Sequence, residues 1–351
     1  MKQVRQANFE LLRIVAILLI SMMHGIRSAY GSTYLINDIA HVIVTAIGNM
    51  GVTLFVLIAG FFSIKLRPSK VLWLWSVVLF YSLFIFAFHC IDGDILFEEG
   101  NIRPFIKEFY WALTPFSTGT WWFISSYMIL LLLSPLFNKA ADCISRIHFI
   151  YLLFILLCFY SLSPTILLHS FTNEPCGKSL QNMIFIYFIG RYIAKYGMPS
   201  IIRENSIFIL LCCITIIFVV NFFIFDPLFM SKDNNLLIII GSICVFQLFS
   251  KLSITGEQSG KTIRYIATYA FPIYLLNTFL LDLLEPYYIG FRESWKFLFY
   301  YVLSQCIIIC ISFVIELIRR PLMSPINSNS KHLDNYCREW YSKLETRINA
   351  L

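Results

Sequence analysis

Long apolar runs separated by short polar segments dominate the pattern of this chain. An apolar α-helix of about 20 residues crosses the hydrocarbon core of a bilayer, so runs of this length predict membrane-spanning helices. The pattern predicts ten spans, at residues 9–28, 42–64, 71–91, 121–137, 147–169, 181–196, 206–226, 235–250, 264–284 and 296–318. The expected fold class is all-α, a polytopic membrane helical bundle.

The distribution of Lys and Arg between the spans predicts the orientation. With the N-terminus in the cytoplasm, the inner segments hold roughly twice as many basic residues as the outer segments, as the positive-inside rule requires. We therefore expect a cytoplasmic N-terminus. The first apolar run contains a charge and lacks a cleavage site of small residues, so we interpret it as a retained span and not as a signal peptide.

Two segments outside the spans show helical spacing of apolar residues. Phe105, Phe109 and Leu113 predict a helix in the outer interface. The tail predicts an amphipathic helix at the inner surface, with a plain solvated tail as the alternative; its spaced residues are Tyr336, Trp340, Leu344 and Ile348. We expect a membrane domain over residues 1–322 and a cytoplasmic polar or amphipathic tail over residues 323–351.

Composition excludes a soluble globular protein. Of 351 residues, 58% are hydrophobic and 13% are charged, whereas a soluble domain is roughly half apolar and a quarter charged. The net charge of +7 fits membrane orientation, and no nucleic-acid partner is expected. Neither a Walker-type phosphate loop nor a dinucleotide-binding glycine fingerprint is present, so ATP hydrolysis and dinucleotide redox chemistry have no support.

The first span contains two ionisable residues, Arg13 and His24. Charge inside a membrane span is costly, and residues that carry it are commonly functional. Eleven residues correspond to about three helical turns, so both side chains lie on nearly one face, roughly 16 Å apart along the axis. His24 is a candidate general base near neutral pH. The alternative is a structural hydrogen bond to a neighbouring helix. The spacing of the histidines does not suggest a metal site.

Arg13 has two interpretations. Glu10 precedes it by three residues, so the two side chains can form a structural ion pair on one helix face; alternatively, Arg13 faces an anionic ligand that arrives from the cytoplasm. The basic inner loop that contains Arg67 and Lys70 marks topology, but it could also bind phosphate groups.

Small and aromatic residues complete the set of candidates. Gly51 and Gly60 allow a close approach to the second span, by another helix or by a ligand. Trp122 is either an interfacial anchor or a surface on which a sugar stacks. Tyr274 and Asn277 are polar residues within the ninth span.

These segments together resemble the integral-membrane acyltransferase 3 family over about residues 7 to 322. The first motif is an acid, a basic residue and, after ten intervening residues, a histidine, matched here by Glu10, Arg13 and His24. The second- and fourth-span motifs are matched by Gly51, Val52, Leu54, Phe55, Gly60 and Phe61, and by Trp122, Phe123, Tyr127, Ser134, Pro135 and Leu136. The sequence departs from the family pattern at Ala59, in place of the usual Ser, and at Asn277, where a second His often occurs. The ninth-span motif is also interrupted, by Ala270, Phe271 and Pro272.

The resemblance implies an enzyme of the inner (plasma) membrane that moves an acyl group, commonly acetyl, from cytoplasmic acyl-CoA to a hydroxyl of an envelope polysaccharide, O-antigen or glycolipid. It implies acetyl-CoA or another acyl-CoA as the donor substrate and no metal. The expected catalytic residues are His24 and Asn277. The expected donor-binding residues are Arg13, Glu10, Gly51, Gly60, Arg67 and Lys70. The expected acceptor-binding residues are Trp122, Tyr127 and Tyr274.

Two other functions stay open at this point. A transporter or flippase for a lipid-linked saccharide would use Arg13 and His24 to relay protons or to bind a phosphate. A non-catalytic sensor is the third possibility. The sequence does not indicate the oligomeric state.

Overall fold

The computed structural model describes residues 6–93, 102–167, 176–224, 229–325, 333–337 and 339. The regular secondary structure of these residues is helical, which confirms the all-α fold class. The α-helices of eleven or more residues are α1 (Ala7–Gly25), α2 (Leu35–Gly48), α3 (Met50–Phe61), α4 (Pro68–Asp92), α5 (Arg103–Leu113), α6 (Trp122–Cys143), α7 (Arg146–Leu157), α8 (Leu180–Tyr196), α9 (Ser200–Val219), α10 (Leu236–Ser250), α11 (Glu257–Ala267), α12 (Ala270–Ile289) and α13 (Lys296–Leu322). A 3-10 turn (Ile26–Ala29) extends α1, and π-helical turns extend α7 (Cys158–Leu167) and α9 (Val220–Ile224).

Within the described residues, seven helical segments are long and apolar enough to cross a membrane, or eight if α11 and α12 count as one bent span. The chain is therefore a multi-pass membrane protein. The helices α8 and α10 coincide with two further predicted spans, but they have only 17 and 15 residues. The count of ten spans and the cytoplasmic side of the N-terminus stay predictions.

Two predicted spans are interrupted. The span predicted at 42–64 begins at Leu35, and Asn49 separates α2 from α3. The span predicted at 264–284 consists of α11 and α12, which meet at a bend of 42°. Pro272 lies in the first turn of α12, where its missing N–H costs no helical hydrogen bond, so a new helix begins there.

The outer-loop prediction is confirmed as a helix, α5. Phe105 and Phe109 contact Phe86 of α4, with ring centroids 5.4 and 5.5 Å apart. In the tail, Tyr336 lies in a helical turn at residues 333–337. The predictions for Trp340, Leu344 and Ile348 concern residues outside the described part of the chain.

The chain divides into two compact units. The first consists of Met1–Ile64 and Leu136–Phe313, and the second of Lys65–Pro135 and Val314–Leu351. In the first unit, α1 packs against α2, α3, α10, α11 and α12. In the second unit, α4 packs against α5. The helix α1 is therefore surrounded by other helices, so its polar residues lie in a protein environment.

One end of the first unit is marked by a cluster of phenylalanines, whose ring centroids are 5.0 to 5.5 Å apart. Its members are Phe9, Phe61, Phe62 and Phe246. The start of α1, the end of α3 and the end of α10 meet in this cluster, which we call the aromatic end. Positions along these three helices are given below as distances from this aromatic end.

Candidate functional site

His24 lies well inside the helical bundle of the first unit. It is 15 residues beyond Phe9, or about 22 Å from the aromatic end at 1.5 Å per residue. Its side chain is half-buried. Because the hydrocarbon core is about 30 Å thick, this height leaves the imidazole within the membrane.

Asn277 of α12 contacts His24 directly. The His24 Nδ1 atom lies 3.0 Å from the Asn277 Oδ1 atom, although the two residues are 253 positions apart in sequence. An amide oxygen only accepts hydrogen bonds, so Nδ1 carries the proton and donates it. The other ring nitrogen, Nε2, then has a free lone pair. Neutral His24 can therefore accept a proton at Nε2.

The hydrogen bonds continue from Asn277 back to α1 and from there to α13. The Asn277 amide nitrogen donates to the Ser21 hydroxyl oxygen at 2.5 Å. The Ser21 hydroxyl donates to Gln305 Oε1 at 2.7 Å. Asn277 is 1% exposed, and its oxygen and nitrogen are both occupied in this chain. The geometry thus favours a role for Asn277 in orienting His24, in place of the direct catalytic contact expected from the sequence.

Arg13 and Glu10 form the ion pair that the sequence suggested. The Glu10 side chain is buried, whereas 29% of the Arg13 side chain is exposed. The pair supports the structural interpretation, and the exposed part of Arg13 leaves room for the ligand interpretation. Binding of an anionic ligand by Arg13 stays a prediction.

The two candidate glycines are packed against helices. A Cβ atom at Gly51 would lie 2.5 Å from the Ala16 carbonyl oxygen of α1, and one at Gly60 would lie 2.2 Å from the Tyr187 carbonyl oxygen of α8. Gly60 therefore faces α8 and not α1. Helix packing accounts for both glycines without a ligand, and their contact with a donor stays a prediction.

In the second unit, a predicted donor residue meets a predicted acceptor residue. Lys70 Nζ lies 3.5 Å from the Tyr127 hydroxyl and 5.8 Å from the centre of its ring. The sequence placed Lys70 at the inner side and the start of α6 at the outer side. Their contact shows that the start of α4 lies beside the first part of α6. Spans that simply alternate in direction would place these two helix starts on opposite sides of the membrane. One ligand group could meet both side chains.

The remaining candidates are dispersed. Arg67 is exposed and is the residue before α4. Trp122 contacts Phe123 edge to face, and Phe123 stacks on Tyr127. Tyr274 is half-buried on α12, one turn before Asn277. The assignment of these residues to donor or acceptor binding stays a prediction.

Several polar residues whose hydrogen bonds connect helices were not predicted from the sequence to be important. Ser21 and Gln305 have no local signal, because their importance comes from contacts across 284 positions. Glu316 belongs to a charged helix end, and that pattern alone predicts no role for it. In the second unit it accepts two hydrogen bonds from Arg319 at 2.7 Å, and one from Tyr81 at 2.8 Å. This buried network joins α13 to α4.

Among the described residues, no group of three or more His, Cys, Asp or Glu is placed to hold a metal ion. The expectation of a metal-independent site stays a prediction. Acid–base chemistry at His24 needs only the residues described above.

Comparison with known protein families agrees with this arrangement. A family model described as an acyltransferase domain, of the acyltransferase 3 type, matches residues 6–317. No curated protein and no solved structure matched the chain. The matched region begins before α1 and ends within α13, so it includes the His24–Asn277 pair. The chain therefore belongs to the acyltransferase 3 family and is an integral-membrane acyltransferase.

Proposed function

We propose that the protein transfers an acyl group, most simply acetyl, from cytoplasmic acyl-CoA to a hydroxyl of an envelope glycan. The acceptor class is a polysaccharide, an O-antigen or a glycolipid, and the membrane is the inner (plasma) membrane. The observation that carries the proposal is the hydrogen bond between His24 and Asn277, which leaves His24 Nε2 free to accept a proton.

In the proposed reaction, His24 Nε2 removes the proton from the acceptor hydroxyl. The hydroxyl oxygen attacks the thioester carbonyl, the new C–O bond forms and the C–S bond breaks. The proton held by His24 then passes to the leaving thiolate. A sugar hydroxyl is a weak nucleophile without such a base. Asn277 acts as a positioning residue, because it holds the ring in the required tautomer.

Donor binding is proposed for basic residues of each unit. In the first unit, Arg13 lies one turn from the start of α1 and keeps an exposed part. In the second unit, Lys70 is half-buried beside Tyr127. A cation of either kind stabilises a phosphate group of a coenzyme A donor. The glycines 51 and 60 support this arrangement by fixing the packing of α3 and are not needed as direct donor contacts.

The test is transfer of label from radioactive acetyl-CoA to envelope glycan by membranes that contain the protein. We expect His24→Ala to reduce transfer by about 10²–10⁴-fold, the usual contribution of a positioned general base. His148→Ala is the matched control, because His148 is exposed at the start of α7, where it is hydrogen-bonded to its helix cap, Ser145. Full transfer by His24→Ala at a normal protein level would refute the assignment of the base.

A further inference from the structure

A polar, non-helical segment, residues 229–235, connects the end of α9 to the start of α10 in the first unit. Asn49 donates a hydrogen bond to the Ser231 carbonyl at 2.8 Å, and Asn221 donates one to the Ser231 hydroxyl at 2.9 Å. The Asn221 oxygen in turn accepts from the Met230 backbone N–H at 2.7 Å. Amide side chains from two other parts of the unit thus hold this segment in place.

We expect the segment to lie within the membrane thickness, because the aromatic end contains Phe9, where the first predicted span begins. Asn49 is 12 residues from Phe61, or about 18 Å from the aromatic end, and α10 begins about 15 Å from that end. Both heights fall well short of the hydrocarbon thickness of about 30 Å. Non-helical backbone at this depth occurs where protein buries it or where it lines a water-filled cavity. The height is also close to that of His24.

A second polar segment, which precedes α8 and contains Cys176 and Gly177, is hydrogen-bonded to the first. Asn182, in the first turn of α8, donates to the backbone carbonyls of Gly177 and Asp233, at 3.2 and 3.4 Å. The backbone N–H of Asp233 donates to the Cys176 carbonyl at 3.0 Å. The starts of the two short helices α8 and α10 are therefore tied together at one junction, which we call the Asn182–Asp233 junction.

This junction holds two buried hydrogen-bond acceptors that lack donors. Asp233 Oδ1 and Asn182 Oδ1 have no hydrogen-bond partner among the described residues. Asp233 is 4% exposed and Asn182 is 5% exposed. Buried polar atoms in folded proteins are nearly always satisfied, and an unsatisfied one points to an absent ligand or water. An ionisable residue at membrane depth is in addition a functional candidate by default.

Electrostatic interactions connect the junction to the proposed base. The Lys178 ammonium lies near enough to both His24 and Asp233 to act on them electrostatically. Asp233 also interacts with Tyr274, which lies one helical turn before Asn277 and so on the same face of α12. The two acceptor oxygens therefore belong to the same polar region as the His24–Asn277 pair.

We infer that the Asn182–Asp233 junction is the acceptor subsite, at which the hydroxyl groups of a saccharide donate hydrogen bonds to Asp233 and Asn182. The inference rests on the proposed function, and it deepens that function by naming where the acceptor binds. A polyol offers several hydroxyl donors close together, which is what two adjacent acceptor oxygens require. The acyl thioester group has no hydrogen-bond donor and does not meet this requirement.

The test measures transfer from labelled acetyl-CoA while the concentration of glycan is varied. The glycan is extracted from the envelope of cells that lack the protein. For Asp233→Asn, the half-saturating glycan concentration should rise by about 10-fold or more, because one acceptor oxygen is replaced by an NH2 group that cannot accept a hydrogen bond. The half-saturating acetyl-CoA concentration should stay unchanged. Asp38→Asn is the matched control, since the Asp38 carboxylate already accepts from the Gly31 N–H.

The outcomes separate the two hypotheses. If wild-type protein transfers no label, the proposed function fails. If wild type transfers label and Asp233→Asn leaves the half-saturating glycan concentration unchanged, the junction holds water or is purely structural and the inference fails. Should Asp233→Asn not fold, Asp233→Glu provides the second variant. It keeps the charge but moves the oxygens by one methylene, so a changed preference between glycans supports the inference, and wild-type half-saturation for every glycan overturns it.

Discussion

At the scale of single residues, the proton on His24 is the central feature. The Asn277 oxygen determines which ring nitrogen carries that proton. The family often has a second histidine at this position, and the sequence alone left the meaning of the replacement open. An amide with a defined donor and acceptor performs the orienting task without titrating, so the departure from the family pattern is compatible with catalysis.

We expect Asn277→Leu to lower kcat by about 10-fold or more, because the imidazole is then free to adopt the unproductive tautomer. The half-saturating acetyl-CoA concentration should not change. The measurement is steady-state transfer in membranes with equal protein content. Asn205→Leu is the control, since Asn205 is exposed on α9 and donates a hydrogen bond to the Ile201 carbonyl of its own helix. An unaltered kcat for Asn277→Leu would remove the positioning role.

At the scale of helices, the close contact between α3 and α8 shows how small residues determine the packing. Gly60 and Gly190 face one another, and a Cβ atom at either would lie 2.5 Å or less from a backbone carbonyl oxygen of the other helix. Backbone atoms cannot rotate away as side chains can. The position of α8, and with it the Asn182–Asp233 junction, therefore depends on these two glycines.

Gly60→Ala should destabilise the protein by about 1–3 kcal/mol, the usual cost of overpacking. The readout is the thermal unfolding midpoint in detergent. Gly290→Ala is the matched control, because a Cβ atom there has no atom within 4 Å and its φ of −61° suits any residue. Equal midpoints for the two variants would show that the helices α3 and α8 separate easily.

The sequence predicted helices better than it predicted their interruptions. Apolar runs predicted the positions of α4, α6 and α13, because a helix in contact with lipid has a recognisably apolar composition. The break at Asn49 was missed, and the hydrogen bond that its side chain donates to the Ser231 carbonyl, 182 positions away, leaves no local pattern in the sequence. The bend before α12 has a local cause, Pro272. It was not predicted, because the run that contains Pro272 is apolar and was interpreted as one continuous span.

At the scale of the whole molecule, distant parts of the chain determine the site. Arg13 and His24 were found from the sequence because they share one helix and their spacing is visible. The contacts of His24 with α12, and of Ser21 with α13, join opposite ends of the chain. The Asp233 segment has the composition of an ordinary polar loop, and its hydrogen bonds to Asn49, Asn182 and Asn221 distinguish it in the structure.

The loops beyond α1 and α12 are joined by Glu293. Its carboxylate accepts hydrogen bonds from Ser32, Thr33 and Tyr34, about 260 positions away. The Thr33 hydroxyl, together with the other donors, holds the pKa of Glu293 below its usual value of 4.5. The unfolded chain therefore binds more protons below about pH 4.5, so stability from Glu293 is present above that pH and is lost as the pH falls further.

Glu293→Gln should lower the unfolding midpoint at pH 7 and weaken its dependence on pH below about 4.5. Thermal unfolding in detergent across an acidic pH series provides the measurement. Glu257→Gln is a suitable control, because Glu257 is highly exposed and pairs with Lys261 on its own helix. If Glu293→Gln unfolds with the wild-type profile at every pH, the joining of these loops contributes nothing measurable.

The most direct test of the account is mass spectrometry of envelope glycans from cells that lack the protein and that are then supplied with either wild type or the variant His24→Asn. The account predicts acyl esters on the glycan with wild type, and none with the variant at equal membrane abundance. Identical ester content in the two cultures would contradict it.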